Sequence, residues 1–126
     1  MDKKEALQIL DEIDTLRRKY EHTPTEKNGD WLLRIACAIV AQKAGFNSRV
    51  KWIEEIRKDK NIMLKRNIAD KLQILFVDRI REEQPDRELT HAEIENIWYT
   101  IYGKLCRGET EKEVEQWCKT VEIRKK

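Results

Sequence analysis

Two observations predict an all-α fold, a compact bundle of five or six helices. Apolar residues recur at intervals of three and four along most of the chain, and no run shows sustained alternation of apolar and polar residues bounded by turn residues. Composition agrees. The 126 residues include two prolines and four glycines, and long spans of Leu, Ile, Lys and Glu favour helix. This length predicts a single helical domain, 1–126, large enough to bury a core without disulfide or metal staples.

The first helix is expected over 3–20, where Ile9, Ile13, Leu16 and Tyr20, flanked by Ala6 and Leu10, form one apolar stripe. Residues 22–29, HTPTEKNG, contain Pro24 and Gly29 and no periodicity, which marks a loop. The second helix, about 31–44, is the most apolar. WLLRIACAIVAQKA has only three strongly polar side chains, Arg34, Gln42 and Lys43, and a helix of this kind wants cover on most sides. It is therefore expected to be the central helix, with Ile39 in the core. Asp30 is placed to cap its first turn, and Gly45 to close it in the left-handed conformation.

Asn47 or Ser48 can cap a short third helix whose inner side is Val50, Trp52, Ile53 and Ile56. After a weak break at 59–61, Ile62, Met63, Ile68, Leu72, Leu75, Phe76 and Ile80 mark a helix of about 20 residues that Pro85 stops. Thr90 with Glu93 and Thr110 with Glu113 are two capping boxes, each opening a further helix. The inner sides are Ile94, Ile97, Trp98, Ile101 and Leu105 in one, and Val114, Trp117, Cys118 and Val121 in the other. All four tryptophans fall on apolar sides, so core packing is expected for each.

Several classes of function are disfavoured. The longest apolar run, 35–41, is far short of the roughly 20 residues that span a bilayer, so no membrane association is expected. The charged N-terminus does not resemble a signal peptide. Three cysteines without CxxC spacing suggest reduced thiols, which makes the cytoplasm the expected location. No metal or cofactor is expected, because Cys106, Cys118, His22 and His91 lack the usual short ligand spacings. The one serine, Ser48, is in no nucleophile motif, no phosphate-cradling glycine loop is present, and the Glu54–Glu55 and Glu82–Glu83 pairs read as solvated surface. No catalytic residue is assigned, and the chain is not expected to be an enzyme.

Charge is nearly balanced overall, at +2, but unevenly spread. Residues 1–30 sum to −2, 31–72 to +6, and 73–126 to −2. A concentrated positive surface attracts phosphate backbones by counterion release, so Arg49, Lys51, Arg57, Lys58, Lys65 and Arg66 are the expected nucleic-acid contacts. The alternative is that these residues are the solvated sides of amphipathic helices. A second surface is expected on the fifth helix, where Trp98, Tyr99 and Tyr102 cannot easily all enter one core. A partner protein or a second copy of the chain could meet it.

Two short resemblances accompany this reading. Over about twenty residues around Ala41, Gly45 and Ser48 the chain resembles DNA-binding helix-turn-helix units, which implies Arg49, Lys51 and Arg57 facing phosphates or the major groove. An ordinary helical hairpin closed by a glycine is the preferred account. Arg17 and His22 have the R-x4-H spacing that resembles the short motif of HEPN-type helical ribonucleases, which implies an arginine stabilising phosphate charge and a histidine moving a proton. A surface arginine and a loop histidine are preferred there.

The expected function is thus a non-enzymatic helical subunit or adaptor whose basic middle contacts nucleic-acid backbone in a larger complex. At the level of fold it is similar to small helical subunits of ribonucleoprotein effector complexes, including CRISPR complexes. The alternative is a protein-binding inhibitor or adaptor, such as a phage-encoded one, docking through the fifth helix. The third reading is a helix-turn-helix DNA-binding protein.

Overall fold

Local side-chain chemistry sets most of the helix boundaries. The computed structural model describes residues 2–21 and 27–124, arranged as α1 (Lys3–Glu21), α2 (Lys27–Lys43), α3 (Arg49–Lys58), α4 (Lys60–Glu83), α5 (His91–Cys106) and α6 (Glu111–Thr120). No strand occurs among the described residues, and the all-α bundle class holds. His22 and Pro24 lie outside the described residues, as does the side chain of Tyr20.

The Ser48 hydroxyl accepts a hydrogen bond from the Lys51 amide and opens α3. Asp59 ends α3, and its carboxylate then accepts from the Asn61 and Ile62 amides, so one residue closes one helix and caps the next. Both capping boxes form, at Thr90 with Glu93 and at Thr110 with Glu113. Gly45 and Gly108 adopt φ of +87° and +96°. At each, two backbone bonds satisfy the last carbonyls: Phe46 N–H to Ala41 and Gly45 N–H to Gln42 after α2, Glu109 N–H to Lys104 and Gly108 N–H to Leu105 after α5. The start of α2 differs from expectation. The helix reaches back to Lys27, which places Asp30 inside the first turn and not at the cap.

Packing divides the chain into two compact units, Met1–Leu64 and Lys65–Lys126, with the boundary inside α4. The core of the first is built from Leu7 and Leu10 of α1, Cys37 and Ala41 of α2, Trp52 and Ile56 of α3, and Ile62. In the second, Leu72, Phe76 and Ile80 of α4 join Ile101, Tyr102 and Leu105 of α5 and Val114 and Cys118 of α6. Phe76 stacks on Trp117 with ring centroids 5.5 Å apart.

α2 is not the buried centre that its composition predicts. It buries small residues, Cys37, Ala41 and Ala44, and exposes large ones: Trp31 and Leu32 are each 64% accessible, Ile35 40% and Ile39 51%. Small side chains on the inner stripe let α1 run close along α2, and that close approach leaves the bulky stripe on the other side. Trp31 is accordingly the one tryptophan outside a core, while Trp52 is buried and Trp98 and Trp117 are half-buried. The inner stripe of α1 is also shifted. Leu7, Leu10, Asp11, Asp14 and Arg17 are buried, whereas Leu16 faces outward.

Candidate functional site

The buried end of α1 is polar because its charges neutralise one another. Asp14 and Arg17 are one helical turn apart, and the Arg17 Nε donates to Asp14 Oδ1 at 3.1 Å. Arg18 meets Asp14 Oδ2 at 3.2 Å from the same helix, and Arg49, at the start of α3, donates from Nη2 to Oδ1 at 3.2 Å. Arg17 Nη1 reaches across to Asp30 Oδ1 at 3.0 Å, and Arg34 Nε donates to Asp30 Oδ2 at 3.0 Å. Asp30 therefore bridges α1 and α2 instead of capping.

The side chains of Asp14 and Arg17 are only 4% and 5% accessible. Burial alone would raise the Asp14 pKa; hydrogen bonds from Arg17 and Arg49 and the nearby Arg18 charge outweigh it and hold the carboxyl below its ordinary 3.8. Asp30 is shifted the same way: desolvation opposes, but its bonds to Arg17 and Arg34 prevail. Four guanidiniums thus gather around two carboxylates.

A cavity of about 520 Å³ opens beside this network, within the first unit. Asp14 and Arg17 of α1, Arg34 of α2 and Arg49 of α3 supply its charged lining, while Phe46 and Trp52 give an apolar wall. Arg34 and Arg49 are half-exposed, and the Arg49 guanidinium lies 5.8 Å from the centre of the Trp52 ring. An aromatic face beneath a guanidinium favours its charge and restricts its motion.

The six residues expected to meet nucleic acid fall into two groups. Arg49, Lys51, Arg57 and Lys58 share α3, whereas Lys65 and Arg66 belong to the second unit. Lys51 and Arg57 are exposed with no ion pair among the described residues, and so are Lys43 and Lys60. Lys58 stands 3.9 Å from Glu55. Arg66 is 6.0 Å from the Trp98 ring and 5.7 Å from the Tyr102 ring, which ties it to the aromatic packing of its own unit.

The expected aromatic face on α5 is largely internal. Tyr102 is 2% accessible and stacks on Trp98 at 4.8 Å. The Trp98 indole N–H donates to Asp70 Oδ1 at 2.7 Å, and Tyr99 meets Trp98 edge-on at 5.6 Å. Tyr102 enters the core because α4 offers both an apolar bed and a cation over its ring, which leaves Trp98 and Tyr99 half-buried.

Sequence reasoning missed Asp14, Asp30 and the pairing of Arg17 with them. The available signal was opposite charges at three- and four-residue spacings, Asp14 with Arg17 and Arg18, and Asp30 with Arg34. Arg17 drew notice only through its spacing to His22, which lies outside the described residues. Cys37 and Cys118 are buried, and burial pushes both thiols up to about 11, so neither is an activated nucleophile at neutral pH. Among the described residues no cluster of three or more His, Cys, Asp or Glu could hold a metal ion, and no helix is long and apolar enough to cross a membrane. No family model matches the chain, and neither a curated protein nor a solved structure matches it.

Proposed function

We propose that this chain is a non-enzymatic helical subunit or adaptor that contacts nucleic-acid backbone through the cations of α2, α3 and the start of α4. The carrying observation is that Lys43, Lys51, Arg57 and Lys60 are exposed and have no carboxylate partner among the described residues. Unpaired surface cations release counterions from a phosphate backbone without competition from internal salt bridges. That no disulfide joins Cys37, Cys106 and Cys118 fits a reducing compartment such as the cytoplasm.

The test is a charge reversal at exposed positions, Lys51→Glu with Arg57→Glu, titrated with unrelated single strands and duplexes. The double variant should stay folded and lose at least about tenfold in affinity on every sequence alike. Unchanged binding by the folded variant, or no binding by the unaltered protein at low salt, would refute the proposal.

The exposed Trp31, Leu32, Ile35 and Ile39 favour a second reading, a protein-binding adaptor. These residues fall on one side of α2, and a stripe of large apolar side chains left in water is the usual mark of a docking surface. This reading moves the contact from α5, where the sequence places it, to α2.

A further inference from the structure

We infer that the arginine-lined pocket of the first unit seats a phosphate monoester, the chemistry shared by a free mononucleotide and the terminal phosphate of a nucleic-acid strand. The second of these sources rests on the nucleic-acid reading above; the first does not. Charge is the starting point. Arg34 and Arg49 line the cavity, are each half-exposed, and engage Asp30 and Asp14 through one nitrogen apiece, so two guanidiniums are turned to a monoester, which carries −1.5 to −2 near neutral pH.

Donor geometry supports the same ligand. Arg34 uses Nε for Asp30 and Arg49 uses Nη2 for Asp14, and the remaining N–H groups of both have no partner among the described residues. They enter the cavity lining from different helices, so a phosphate between them would accept from two planar forks, the arrangement guanidinium serves best. The two aspartates act as positioning residues. Asp14 and Asp30 are spent on arginines and fix the orientation of those forks, which spares an incoming anion that ordering cost.

Size and lining then choose an end over a passing strand. A cavity of about 520 Å³ falls in the range of small-ligand sites. Asp14 and Arg17 in its lining are almost inaccessible, so a ligand would reach them end-on, and Phe46 and Trp52 supply an apolar wall for a sugar or base.

The experiment compares one oligonucleotide in three forms, 5′-phosphorylated, 3′-phosphorylated and unphosphorylated, together with adenosine monophosphate, on the full chain. One phosphorylated end should bind at least tenfold tighter than the unphosphorylated strand. Arg34→Gln and Arg49→Gln, each verified as folded by a melt, should erase that preference. The Lys51→Glu, Arg57→Glu variant should weaken all three strands and keep it. Binding of adenosine monophosphate, lost in Arg34→Gln, with no preference between strands, assigns the site to free mononucleotides and supports the pocket while withdrawing the strand end. Equal binding of all strands with no response to millimolar adenosine monophosphate overturns the inference and leaves the backbone proposal to its own charge-reversal test. Retained preference in both glutamine variants overturns it as well.

Discussion

Asp14 shows how a single residue joins fold and charge. Its carboxylate is almost inaccessible, accepts from Arg17 and Arg49 on two helices and pairs with the Arg18 charge, and breaking such a buried network costs about 3–5 kcal/mol because the remaining charges lose their partner. Asp14→Asn should therefore lower the melting temperature sharply. The pH dependence follows from the direction of its pKa. Because the folded value lies below the ordinary 3.8, the contribution is fully present above the unfolded pKa and is lost as pH falls through the folded one. Melts between pH 7 and pH 2 should show the unaltered protein losing stability below about pH 4, and Asp14→Asn losing less across the same window. Parallel profiles for the two proteins would show that Asp14 does not carry the linkage.

At the level of elements, helix ends were legible in the sequence and helix faces were not. Ser48, Thr90 and Thr110 act within three residues of themselves, and Gly45 and Gly108 within five; such chemistry needs no tertiary context. The face of α2 depends on what packs against it. A helix apolar nearly all round contains no period that selects a stripe, and the close approach of α1 to Cys37 and Ala41 decided it. The same limit hid the candidate pocket, whose ion pairs join residues 13 and 35 positions apart as well as neighbours. A pair of substitutions checks the assignment. Ile39→Asp places a charge on a half-exposed position and should cost about 1 kcal/mol or less, whereas Leu10→Ala empties a fully buried position and should cost about 2–5 kcal/mol. Denaturant melts that ranked the two in the opposite order would restore α2 as the core helix.

For the whole molecule, folding reduces the charge asymmetry that the linear sequence displays. The segment 31–72 sums to +6, but packing groups it differently: the first unit has thirteen Lys and Arg against eleven Asp and Glu, and the second thirteen of each. Acids of the N-terminal segment, Asp14 and Asp30, lie against Arg34 and Arg49, so part of the apparent excess is consumed internally. What remains for a phosphate backbone is Lys43, Lys51, Arg57 and Lys60. With four phosphates neutralised, the logarithm of the binding constant should fall against the logarithm of salt concentration with a slope of about −3.6 on duplex DNA and about −2.8 on a single strand. Anisotropy titrations over about 50–200 mM salt would measure it, with unphosphorylated ends so that the arginine pocket is not engaged. Lys43→Gln and Lys60→Gln should each make the slope shallower by about 0.9 on duplex. A slope near −6 that neither substitution changes would place the contact on other cations, and a slope near zero would transfer the function to the apolar face of α2.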